Sequence, residues 1–130
     1  MNLWRYHIPV IVYAGLIFFA STFSEAPFDL PKFILKDKLM HFIEFAIFGI
    51  LLWRSANRWK LSLTKIKLSI IAIVIGSIYA AFDEYHQFLI PGRKCDFSDW
   101  IADAIGLAVG IAIAYIFISD KRHFRKYAEN

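Results

Sequence analysis

Four apolar stretches, each close to the length that crosses a bilayer, occur within 130 residues, and that repetition leaves the chain few ways to fold. They run from His7 to Phe23, Leu39 to Trp53, Leu68 to Phe82 and Trp100 to Ser119. A soluble core accommodates one such run, but a water-soluble domain of this size has no interior for four. Hydrophobic residues make up 58% of the chain, above the roughly 45–50% usual in globular domains. Disorder and collagen-like or coiled-coil architectures are excluded by the same composition. Each charge-free core falls a little short of the ~20 residues a helix needs to span hydrocarbon. The acidic residues at the ends of the runs must therefore enter the membrane edge with their helices. The expected fold is an all-α integral membrane protein of one domain over residues 1–130. Its four transmembrane helices form a compact bundle, with spans near 7–23, 39–54, 67–87 and 100–119. The first run is longer than most signal-peptide cores, and Pro27 suits a position after a cleavage point poorly, so it reads as a retained span.

Charge sets the expected direction. Arg5, then Arg54, Arg58, Lys60, Lys65 and Lys67, then Lys121, Arg122, Arg125 and Lys126 lie on one side of the four runs. Lys32, Lys36, Lys38, Arg93 and Lys94 lie on the other. The richer side is expected to be cytoplasmic, which places both termini inside and the loops 24–38 and 83–99 outside. Trp4, Trp53 and Trp59 are expected to mark the inner interface, and Trp100 the outer one. In the first outer loop, Asp29 is a candidate cap for a helix starting near Pro31. The net charge of +4 is carried between apolar runs rather than among stacking aromatics. It points to lipid headgroups and topology, and away from nucleic acid. Cys95 is the single cysteine, which excludes an intrachain disulfide and a cysteine-rich metal centre.

The chemistry concentrates at three helix ends on the expected outer side. His41 and Glu44 lie three apart, as do Glu84 and Gln87; Asp83 reaches Gln87 and Asp99 reaches Asp103 at a spacing of four. Each pair shares a face of its own helix, and the topology lets the three faces converge. An Asp at mid-membrane costs roughly 2.5–3.5 kcal/mol, so such residues face the bundle interior and pair. Five acids (Glu44, Asp83, Glu84, Asp99 and Asp103) meet fewer cations, namely Lys38, His41, Arg93 and His86. The excess is resolved by protonation, by a divalent metal held among His41, Glu44, Asp83 and Glu84, or by a cationic ligand group. Pro91-Gly92 reads as a turn, with Arg93 beside it suited either to an acid or to phosphate. Ala102, Gly106, Gly110 and Ala114 repeat every four residues and, with Gly49, let helices approach closely, within one chain or in a homodimer.

Asp83-Glu84-x-x-Gln87, then Pro91-Gly92-Arg93, then Asp99-x-x-x-Asp103-x-x-Gly106-x-x-x-Gly110 together resemble the signature of the VanZ-like family. Upstream, Asp37-Lys38-x-x-His41-Phe42-x-x-Phe45-x-x-x-Gly49 is similar to the first motif of that family. The resemblance covers residues 37–115. Asp103 stands where many members carry Asn, and Glu44 lies outside the pattern. The resemblance implies a small bacterial membrane protein of the cell envelope, related to one associated with resistance to teicoplanin, a lipid-tailed glycopeptide. It implies no particular reaction.

Three functions are compatible with these residues. In the first, His41, Asp83, Glu84, Gln87, Arg93, Asp99 and Asp103 form an outward polar site in the cytoplasmic membrane. That site binds an amphiphile such as a lipid-linked wall precursor or a glycopeptide. In the second, the protein is a membrane enzyme in which Asp83, Glu84 and His41 supply metal ligands, base or acid, and Arg93 clamps a phosphate. In the third, the buried acids relay protons for a carrier.

Overall fold

The computed structural model of the chain describes residues 4–23, 34–59, 62–93 and 95–128, and of 34–36 and 119–128 it describes the backbone alone. All of the regular structure in the described residues is helical. The four helices are α1 (Trp4–Ser21), α2 (Ile34–Ala56), α3 (Lys65–Phe88) and α4 (Phe97–Ala128). Among the described residues, three segments are long and apolar enough to cross a membrane: Asp37–Ala56, Lys65–Phe88 and Phe97–Ile118. α1 is not among them. The expected cap at Asp29 and the loop around it lie outside the described residues, as do the side chains of the basic tail.

The helix ends follow from local chemistry. Thr64 caps α3 by accepting the Lys67 N–H at 3.3 Å. Asp96 caps α4: its Oδ1 accepts the Ser98 N–H at 2.8 Å, the N2 position that a capping carboxylate reaches. Between α3 and α4, Arg93 N–H donates to Ile90 O at 3.1 Å, and Gly92 has φ +87°. Pro91 followed by Gly with positive φ is the signature of a type II turn. Inside α1, Pro9 has no N–H to give the carbonyl of Arg5. Arg54 Nη2 supplies a donor to that carbonyl at 3.4 Å.

Each helix buries one stripe. On α3 it runs through Leu68, Ala72, Gly76 and Ala80 and continues without a break into Asp83, Glu84 and Gln87. On α2 it runs through His41, Phe45, Gly49 and Trp53, and on α4 through Asp99, Asp103, Gly106, Leu107, Gly110, Ile111 and Ala114. The outward faces stay apolar: Ile70, Ile78, Phe82, Ile105 and Ile116 are among many large exposed hydrophobics. Lipid covers such a surface at no cost, whereas water does not.

α2 and α4 form the most extensive contact, and the small residues explain it. A Cβ at Gly106 would meet Phe42 O at 2.2 Å, one at Gly110 would meet Ala46 O at 2.0 Å, and one at Gly49 would meet Leu107 O at 2.5 Å. The glycine stripe is therefore spent inside the chain, backbone against backbone. Contrary to expectation, Trp53 does not present its ring at the interface. Trp53 is 0% exposed, because it continues the buried stripe of α2. Its Nε1 donates to Ser69 Oγ at 2.9 Å and its ring meets Tyr115 edge-on. Trp4 and Trp59 are exposed. Trp100 is half-buried and donates to Ser77 O at 3.2 Å.

The helices alternate in direction. His7 lies 2.6 Å from Ser55 Oγ at one end of the α1–α2 pair, and Tyr13 donates to Glu44 O at 3.2 Å further along. The C-terminal end of α1, the N-terminal end of α2, the C-terminal end of α3 and the N-terminal end of α4 therefore meet at one end of the bundle.

Candidate functional site

That end carries two polar layers. The outer one is built around Lys38, one turn before His41 on α2. Its Nζ reaches Asp99 Oδ1 at 2.8 Å, Asp96 Oδ2 at 3.4 Å and the Ser98 hydroxyl. Asp99 lies in the first turn of α4, where the helix dipole also favours a negative charge. The Ser98 hydroxyl donates in turn to Asp96 Oδ1 at 2.6 Å. Asp96 lies outside the spans, and the bonds from Ser98 come first, with Lys38 after them, in holding its carboxyl below the usual range.

The inner layer is one helical turn deeper. His41 Nδ1 lies 3.0 Å from Asp103 Oδ1 and 3.9 Å from Glu84 Oε1. These three side chains come from three different helices, and each is buried. Glu84 Oε2 accepts the Asp96 backbone N–H at 3.3 Å, which ties the inner layer to the cap of α4. Beside them, Gln87 Nε2 donates to Asp83 Oδ2 at 2.9 Å. Asp103 is 0%, Asp83 2% and Glu84 3% exposed. One oxygen of each carboxylate, namely Asp83 Oδ1, Glu84 Oε1 and Asp103 Oδ2, is buried with no hydrogen-bond partner among the described residues. Buried polar atoms are normally satisfied, because leaving one unpaired costs about 1–3 kcal/mol, and more for a charged group.

The expected convergence of His41, Asp83, Glu84, Gln87, Asp99 and Asp103 is what the packing produces. Other expected members go elsewhere. Arg93 Nη1 donates to Ser21 O at 3.2 Å and Phe23 O at 2.9 Å. These carbonyls at and just past the end of α1 lack helical partners, so the guanidinium fastens α1 to the turn between α3 and α4. His86 stacks on Phe18 at 4.1 Å and lies 3.3 Å from Thr22 Oγ1, facing α1. Glu44 and Asp83 are not in the groups close enough to share a metal. Among the described residues those groups are His41 with Glu84 and Asp103, and His41 with Asp37 and Asp99. Asp103 thus replaces the two in the expected ligand set. Helical spacing determined which residues share a face. It carried no information on which neighbouring helix each face would meet.

Sequence reasoning missed the capping role of Asp96 and its link to Ser98. The signal was present: an Asp two residues before a Ser at the start of a long apolar run. Cys95, an exposed thiol outside any disulfide, lies beside Glu84. Loss of water contact first, and then the Glu84 carboxylate, raise its thiol above the usual range.

A family model described as VanZ/LLP1 matches residues 5–118. No curated protein and no solved structure matches the chain.

Proposed function

The chain belongs to the VanZ/LLP1 family, and from that premise we propose that its polar cluster binds the head of an amphiphilic, lipid-linked ligand of the bacterial cell envelope. The protein sits as a multi-pass protein in the cytoplasmic membrane, with both termini inside and the cluster at the outer face. The bias of Lys and Arg toward the opposite loops supports this direction. One observation carries the reading: three buried carboxylates at one end of the bundle each hold an oxygen that no described protein group satisfies. A purely structural cluster closes its hydrogen bonds. An unfilled set is what a binding site leaves for its ligand. The acids require positive charge, supplied by an amine of the ligand or by an ion held with it.

The surroundings suit an amphiphile. Tyr85, Phe88, Leu89 and Phe97 are exposed around the same end, and the apolar outer faces of the helices continue below them. A head at the polar layers leaves its acyl chain against those faces. A lipid-linked wall precursor and a teicoplanin-type glycopeptide share this plan, and a role in resistance follows from binding the latter.

The protein in lipid nanodiscs, titrated with teicoplanin and with a lipid-linked wall precursor, tests the reading. Saturable binding of either that weakens at least about tenfold in Asp83→Asn, matching the loss of one charge-assisted hydrogen bond, is the expected result. Binding equal to that of empty nanodiscs, for both ligands, overturns it.

A further inference from the structure

We propose that His41 Nδ1, Glu84 Oε1 and Asp103 hold a divalent cation of the zinc type. The inference deepens the binding reading, because it names the charge that offsets the acids. The three ligand atoms come from α2, α3 and α4 and lie within 4.8 Å of one another. Zinc bonds to nitrogen and oxygen are about 2.0–2.2 Å, which in a tetrahedron sets ligand atoms about 3.3–3.5 Å apart. The distances from His41 Nδ1, 3.0 Å to Asp103 Oδ1 and 3.9 Å to Glu84 Oε1, bracket that spacing. The longer of the two, to Glu84, closes by a few tenths of an ångström to reach it.

A second, independent observation points the same way. Glu84 Oε1 and Asp103 Oδ2 are buried and unpartnered among the described residues, on side chains that are 3% and 0% exposed. Two carboxylates with a neutral imidazole carry two negative charges, which a divalent cation cancels. The cation takes the place of the Nδ1 proton: a neutral ring shifts that proton to Nε2, and an imidazolium, which already holds one there, releases it to solvent. Three protein ligands leave a fourth position for water or for an oxygen of the bound head, the pattern of an open zinc site rather than a closed structural one. Imidazole with carboxylate suits zinc, while calcium and magnesium prefer oxygen alone.

The other group containing His41 is a poorer site. Its Asp37 is exposed, and its Asp99 already takes Lys38 at 2.8 Å. The helix ends hold the favoured three in place, since Glu84 Oε2 is fixed by the Asp96 N–H and leaves Oε1 for the ion.

The test titrates Zn2+ alone into chelator-stripped, detergent-purified protein by calorimetry, with no amphiphile present. Loss of the metal site and loss of amphiphile binding are then separate results. Wild type should take up one Zn2+ per chain. Glu84→Gln and Asp103→Asn should weaken it by more than roughly 100-fold, the upper end of what changes behind the ligands alone cost. Asp37→Asn should bind as wild type does. Co2+ in wild type should give the visible spectrum of a nitrogen–oxygen tetrahedral site without a thiolate band, a readout that stands even if a variant fails to fold. The proposal is overturned by no stoichiometric uptake in wild type. It is equally overturned by uptake that Glu84→Gln and Asp103→Asn leave unchanged, by loss in Asp37→Asn, or by a thiolate band implicating Cys95.

Discussion

Asp83 and Glu84 are neighbours in sequence yet answer to different partners. Gln87, one turn on, takes one oxygen of Asp83, and the backbone of Asp96 takes one oxygen of Glu84. Each is half satisfied, and its other oxygen is buried with no hydrogen-bond partner among the described residues. Asp96 shows a carboxylate fully used. The bonds from Ser98 hold its folded pKa below the ordinary 3.8. A depressed carboxylate contributes stability that is present above its unfolded pKa and lost as pH falls through the folded one. The first turn of α4 should therefore hold its amide protection down to the ordinary 3.8 and lose it below, as the carboxyl protonates. Hydrogen exchange at Ser98 and Asp99 against pH reads this directly, and Asp96→Asn should abolish the dependence. The i, i+3 and i, i+4 spacings made the members of the cluster legible in the sequence. The partner of Arg93 was not legible, because the carbonyls it meets, on Ser21 and Phe23, carry no side-chain signature.

Among the helices, the glycines of α4 set how near α2 can come. Gly110→Ala places a methyl 2.0 Å from the Ala46 carbonyl, a backbone atom with no rotamer to change. The helices must part, and overpacking of this kind costs about 1–3 kcal/mol or more. Gly15 in α1 has nothing within 4 Å of a Cβ. Gly15→Ala should be neutral or stabilising, by up to about 1 kcal/mol, since Ala loses less backbone freedom in a helix. In thermal unfolding in one detergent, Gly110→Ala should melt lower than wild type and Gly15→Ala should not, and equal losses would contradict the packing. The four-residue repeat made the stripe readable in the sequence, but the identity of its neighbour was a property of the assembled bundle. Trp53 was misplaced for a related reason. Its position near a run of basic residues resembles an interfacial anchor, whereas its register with Phe45 and Gly49 puts it in the core. Register outranks proximity to charge when a helix has only one face to bury.

Across the whole molecule, the two ends of the bundle differ in chemistry. At one, Arg54 and Arg58 lie over the Tyr6 ring at 5.1 and 4.1 Å, with His7 and Trp59 beside them. At the other, acids outnumber their partners among the described residues and sit under a layer tied by Lys38. A fold selected only for stability has little use for the second end. Buried charges without full compensation cost stability, and neutral groups of the same shape relieve that cost. The most direct measurement is the thermal unfolding of wild type, Asp83→Asn and Glu84→Gln, stripped of metal and free of amphiphile, in one detergent. Both substitutions keep the hydrogen bonds to Gln87 and to the Asp96 N–H while removing a charge. If the cluster is a ligand site held at the expense of the fold, both variants unfold at or above the wild-type temperature. If both unfold several degrees lower, the acids are a polar staple between helices, and the binding site proposed at this end of the bundle is contradicted.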